Sequence, residues 1–318
     1  MEEKFVSKRK NLIWKKFWNQ RYIMILVLPA VLWMLIFSYL PMLGIILAFK
    51  NYNPFLGNFL ESFIKSPWVG INNFIEIFTD KYFLQALRNT IYYSVLNLII
   101  GFPFPIVFAL LLNEITNIWF KKFVQTASYL PYFISWVFVI GFIYDIFSDN
   151  GVVNGLLLKL NIIKMPISFL VTPKFIPPIV VLSNLWKVFG WNSIIYLAAI
   201  ASIDPTLYEA ATVDGANRFA QIWHITLPLI KPTIIVLLIF NIAGLITNYG
   251  LFEQMYLLSN SAIQDVTEII DTYTYKMGIV LGRYSYATAV GLFRSLAAII
   301  LLASANFISK KLFEEGLF

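Results

Sequence analysis

Six apolar stretches, each long enough to cross a lipid bilayer, leave this 318-residue chain few ways to fold. A helix needs about 20 mostly apolar residues to span the ~30 Å hydrocarbon layer. Segments 22–49, 89–112, 125–147, 176–203, 232–250 and 285–308 meet that requirement. In lipid every backbone N–H and C=O must be satisfied internally, which permits helices or closed barrels. Runs this long and continuously apolar suit helices. The expected fold is an all-α membrane protein with six transmembrane helices. Charged residues make up 13% of the chain and the mean hydropathy is +0.74, whereas soluble domains carry about 25% charged residues. A single transmembrane domain over 22–318 is therefore expected in place of two soluble ones.

Seven basic residues, Lys4, Lys8, Arg9, Lys10, Lys15, Lys16 and Arg21, precede the first stretch. Such a cluster holds an N-terminus in the cytoplasm. The run 22–49 is too long for a secretory signal and no small-residue cleavage site follows it. Residues 1–21 read as a basic cytoplasmic segment. Within it Lys8–Arg21, interleaved with Trp14, Phe17 and Trp18, either lies on anionic lipid or forms a solvated tail. Six crossings from a cytoplasmic start put both termini, 113–124 and 204–231 inside. Lys121, Lys122, Arg218, Lys231, Lys310 and Lys311 add to the positive side there. The loops 50–88, 148–175 and 251–284 fall outside, where their aromatics offer a platform to an extracellular partner or pack at the lipid interface. Placed this way, the net charge of +7 orients the chain in a membrane and does not point to nucleic acid.

Several chemistries are excluded. The chain has no cysteine and one histidine, His224, which removes disulfides, thiolate metal centres and histidine-clustered metals. An intramembrane enzyme needs an acid/base or nucleophile constellation, and Asp145 has no partner carboxylate at that depth. A self-sufficient ion carrier would need intramembrane carboxylate relays, which are absent as well. No Gly-Lys pair occurs, so there is no phosphate-cradling P-loop. No cofactor is expected in this chain.

The island Glu209–Pro228 between the fourth and fifth stretches is polar and patterned: EAATVDGANRFAQIWHITLP. Asp204 before Pro205 reads as an N-cap with proline at the first helical position. A short helix through Leu207–Asp214 would end at Gly215, the residue best suited to a left-handed turn. A second would run over Arg218–His224, with Pro228 and Pro232 marking entry to the fifth span. Ala210 and Ala211 permit close backbone approach by a partner, and Glu209 adds an exposed charge. The alternative is a solvated connection.

The skeleton Glu209-Ala210-Ala211, Gly215, Ile225, Leu227 and Pro228 resembles the signature loop by which membrane subunits of binding-protein-dependent ABC importers dock on their ATPases. The likeness extends along the chain. It takes in Pro41-Met42-Leu43-Gly44, Ala48-Phe49-Lys50-Asn51-Tyr52-Asn53-Pro54, Trp68-Val69-Gly70 and Asn73-Phe74. It continues through Arg88-Asn89-Thr90, Ser128-Tyr129-Leu130-Pro131 and Tyr286-Ala287-Thr288-Ala289-Val290-Gly291-Leu292-Phe293. The chain is similar to permease subunits of carbohydrate importers of the maltose-importer type, in the branch serving complex oligosaccharides and polysaccharide fragments. That resemblance implies a type I ABC importer permease fold in a bacterial plasma membrane. It also implies a second permease subunit (a different chain), an ATPase dimer holding ATP and magnesium, and an extracellular sugar-binding protein. The runner-up is an ABC importer permease for a non-sugar solute.

Polar residues inside spans are costly and so point to a pathway. Counted at ~1.5 Å per residue, Lys187, Asn241 and Arg294 fall near one midplane level on three helices. Asn184, Lys187 and Trp191 form a stripe at i, i+3, i+7 flanked by Asn192. These six supply hydrogen-bonding groups and an aromatic face for a sugar. Interhelical hydrogen bonding is the alternative for the asparagines, packing for Trp191, and pairing with Asp145 or a backbone carbonyl for the two cations. Two cations with no deeply placed acid would suit an anionic sugar such as a uronate.

Overall fold

A computed structural model describes residues 20–247, 250–314 and 316–317. The basic residues Lys4–Lys16 and most of the expected interfacial helix lie outside them. Among the described residues the chain is helical, apart from one isolated bridge between Lys50 and Trp68. It forms two compact units, up to Asn73 and from Phe74 to Phe318.

Five helical runs are long and apolar enough to cross a membrane: Arg21–Phe49, Lys81–Asn113, Trp136–Lys159, Arg218–Ala243 and Tyr284–Phe313. A sixth, Pro173–Ala201, is followed after a 70° bend by Pro205–Val213. The six expected crossings map onto these runs, here called spans one to six in chain order with Pro173–Ala201 as the fourth. Proline shapes several of them. Three π turns, Leu35–Tyr39, Asn97–Gly101 and Ile222–Thr226, each end two residues before a proline: Pro41, Pro103 and Pro228. A proline removes one N–H and crowds the carbonyl four residues back. Widening the preceding turn relieves that clash without breaking the helix.

In the first unit the loop after span one is clamped by side chains. The Lys50 ammonium, on a buried residue, donates to the carbonyls of Phe63 (2.6 Å) and Ile64 (3.1 Å), at the end of helix Phe59–Lys65. The Asn73 amide donates to the Ala48 and Lys50 carbonyls at 2.8 and 3.0 Å. The patterned residues of 48–54 and 68–73 thus hold a loop together.

In the second unit four expectations need correction. Span two starts at Lys81 and not at Asn89: Asp80 caps it through Tyr82 N–H at 2.8 Å, and Asn89 and Thr90 are buried inside it. Their polarity serves segment 264–270. Asn89 donates to the Asp265 and Glu268 carbonyls, and Ile270 N–H donates to Thr90 Oγ1. The segment 125–147 is not one helix. It is helical over Ile118–Tyr129, broken through Leu130–Ser135, and helical again from Trp136. Pro131 supplies no N–H to continue the ladder. The stretch 251–284 is more than an outer loop: helix Leu251–Leu258 buries Leu251, Met255 and Leu258 against Val139, Ile140, Ile143, Val180 and Val181. Their i, i+4, i+7 spacing gives that helix one apolar face. Span five covers Arg218–Ala243 and not 232–250, because the Asn217-capped helix runs into it through the π turn.

A second cluster joins spans two, four and five through Ala109, Leu110, Tyr196, Ile200 and Ile230, with Ile222 and Leu227 packed against it. The polar island is anchored there.

Candidate functional site

The island folds by local rules. Asp204 Oδ1 accepts from Thr206 N–H at 2.9 Å and Pro205 opens the helix Pro205–Val213. That N–H bond holds the Asp204 carboxyl below the usual carboxylate range. Gly215 has φ +82° with nothing near a Cβ position, so the backbone, not packing, requires glycine. Asn217 restarts the helix by accepting from Ala220 N–H at 2.8 Å. Arg218 pairs with Glu114, at the end of span two, at 3.0 Å. Of the signature residues, Glu209, Ala210, Gly215 and Pro228 are exposed, while Ala211, Ile225 and Leu227 are half-buried. The motif thus presents its charged and small members outward and packs its apolar ones inward.

A cavity of about 1080 Å³ lies among spans two, four, five and six, at the upper end of the ~300–1,000 Å³ usual for ligand pockets. Its polar lining includes Ser94, Asn97, Asn184, Lys187, Asn192 and Asn241. Four of the six expected pathway residues therefore meet in one space. Trp191 and Arg294 do not line it. Trp191 stacks on Tyr132 at 4.5 Å between ring centres, and span six contributes Ala298, Ile299 and Leu302 in place of Arg294.

Both cations have internal partners. The Lys187 ammonium donates to the carbonyls of Pro131 (3.2 Å), Tyr132 (2.9 Å) and Ile134. These belong to the broken helix, and an ammonium has three hydrogens to give. It also sits 5.5 Å from the centre of the Trp136 ring. Gly190, one turn along, lets span four approach this end: a Cβ there would lie 2.1 Å from the Ser128 carbonyl oxygen. Arg294 binds Asp271 at 2.5 Å and donates to the Thr247 carbonyl at 2.9 Å. Burial pushes the Asp271 carboxyl up while Arg294 pulls it down. The expectation of two cations without a deep acid is corrected here, because Asp271 arrives from a segment read as an outer loop. Among the described residues Lys187 is the one charged residue lining the cavity, and its direct partners are carbonyls.

Residues 101–314 match the family described as the binding-protein-dependent transport system inner membrane component. The chain belongs to that family. It is 47% identical to protein LplB of Bacillus subtilis, over 94% of this chain and 92% of the relative. It is 45% identical to the polygalacturonan/rhamnogalacturonan transport system permease protein YteP of the same organism, over 98% of this chain and 94% of the relative. A solved bacterial alginate ABC transporter, in complex with alginate pentasaccharide-bound periplasmic protein, contains a chain that superposes with a TM-score of 0.84. That chain is 38% identical, and the match covers 96% of this chain and 99% of the other. This family member is a membrane-embedded ABC transporter permease with the type I fold, and the island Glu209–Pro228 fits the family's coupling loop.

Sequence reasoning did not single out Ser94 and Asn97, which belong to the cavity. Ser94 is 6% exposed and its hydroxyl has no partner among the described residues. Asn97 sits in a π turn and accepts from the Asn184 amide at 3.3 Å. The signal available was their polarity inside the expected span 89–112, where they lie three positions apart on one helical face.

Proposed function

We propose that this permease imports acidic oligosaccharides through the cavity lined by Asn184, Lys187, Asn192 and Asn241. An extracellular binding protein delivers them. The chain acts in a bacterial plasma membrane, paired with a second permease and driven by a separate ATPase dimer. ATP and magnesium are held by those ATPases, because this chain has no phosphate-cradling loop. Glu209, Ala210, Gly215 and Pro228 present the surface on which they dock, and Ala211, Ile225 and Leu227 pack behind it. Trp191 supports the cavity from behind through Tyr132, and Arg294 ties span six to Asp271 outside the lining.

One observation carries the acidic reading: among the described residues the only charged side chain lining the cavity is Lys187, whose hydrogen-bond partners are carbonyls. Carbonyls satisfy its hydrogens, Glu253 offsets its unit charge only from beyond ion-pair distance, and a low-dielectric cavity extends the reach of what remains. The relatives' names also favour a saccharide over an amino acid or phosphate. The test is ATP-driven uptake by the complete complex in proteoliposomes, comparing an oligouronate with a neutral oligosaccharide of equal length. The reading expects faster uptake of the oligouronate. Equal or faster uptake of the neutral sugar would contradict it.

A further inference from the structure

The coupling helix Pro205–Val213 and the start of span five are joined covalently by a short turn through Gly215. A glycine turn alone is a hinge, and a hinge would absorb displacement instead of passing it on. Two side-chain bonds close that hinge. Tyr208 Oη and Thr226 Oγ1 lie 2.9 Å apart, and Gln221 Nε2 donates to Thr212 Oγ1 at 3.0 Å.

The helical periods explain how two bonds can form side by side. Tyr208 and Thr212 are i, i+4 and share one face of the α-helix. Gln221 and Thr226 are i, i+5, which in an α-helix would point ~140° apart. The π turn Ile222–Thr226 has more residues per turn and swings Thr226 back toward the Gln221 side. Pro228, a signature residue, follows that turn by two positions. Thr226 is 2% exposed and Tyr208 half-buried, so their bond is shielded from competing water. Glu209, Ala210 and Val213 occupy the other side of the helix and are exposed, leaving the docking face free.

We propose that Tyr208 and Thr226, seconded by Thr212 and Gln221, are positioning residues that lock the coupling helix to span five as one lever. The proposal rests on the docking role assigned above to 205–228. Its consequence is that motion imposed on the helix moves the cavity wall carried by span five.

The experiment measures saccharide imported per ATP hydrolysed by the complete complex in proteoliposomes, normalised to assembled complex. Tyr208→Phe and Thr226→Val keep shape and delete one hydroxyl each, and Thr226→Ser retains it. Losing one shielded hydrogen bond shifts an equilibrium about five-fold. Each single deletion is expected to lower the ratio by about that factor. The double variant should be no worse than either single, and Thr226→Ser should hold the parent ratio. A purely structural role would reduce assembled complex and leave the ratio alone. Gly215→Pro serves as the docking control and should abolish uptake. Parent-like ratios in both deletions, with uptake abolished in the control, would overturn the lever alone. Normal uptake in Gly215→Pro would overturn the docking role and the lever with it.

Discussion

The corner at Pro205–Val213 and the break at Leu130–Ser135 face the same backbone problem and solve it differently. Every helix end leaves N–H or C=O groups without partners. At the corner, Asp204 and Asn217 satisfy theirs from two and three residues away. At the break, Pro131 has the Ile134 N–H, but the carbonyls of Tyr132 and Ile134 wait for a lysine 55 and 53 positions later. Local capping makes an element that can be displaced as a piece. Remote capping ties two elements together and puts a charge at a cavity wall. Lys50 repeats the remote solution within the first unit, capping carbonyls 13 and 14 positions away.

If remote capping carries more than local capping, Lys187→Met should have the largest effect. It strands the Tyr132 and Ile134 carbonyls, while Pro131 keeps the Ile134 N–H; at about 1.5 kcal/mol each, or about 3 kcal/mol in all, this should lower the thermal midpoint of the purified complex steeply. A midpoint like the parent's would mean that water replaces the lysine. Gly190→Ala attacks the same junction sterically. Its Cβ would meet the Ser128 carbonyl at 2.1 Å, and overpacking of this kind costs about 2 kcal/mol in the same measurement.

The corner should yield less. Gly215→Ala meets no neighbour, so only its φ of +82° matters, at about 1 kcal/mol. Hydrogen exchange of the 205–213 amides should quicken, with little change in the global midpoint. The smallest effect is that of pH on Asp204. Because the Thr206 N–H lowers its carboxyl below the ordinary 3.8, the cap is fully present above that value. It is lost as pH falls through the lowered one. Protection of the Thr206 amide, taken against its intrinsic exchange rate at each pH, should fall on acidification in the parent and show no such fall in Asp204→Asn. A larger effect at the corner than at the break would reverse the comparison.

The same contrast explains what could be read in advance. Six spans followed from hydropathy, and Asp204-Pro205 with Gly215 outlined the coupling helix, because those signals lie within one or two turns. The break at Pro131 was hidden inside an apolar run, so the carbonyls that Lys187 meets could not be named. The partner of Arg294 could not be named either, because Asp271 lies in a stretch whose helix Leu251–Leu258 folds back into the core. Asn89 and Thr90 looked like a span boundary because their partners are about 180 residues away. Partners at such separations leave no trace in local periodicity.

On the proposed function, this chain is a passive conduit worked by another subunit's nucleotide cycle through 205–228. Reconstituting it with its second permease and binding protein, with and without the ATPase subunits, tests that most directly. Uphill saccharide uptake should occur only when the ATPases and ATP are both present. Accumulation against a gradient without the ATPase subunits would contradict it.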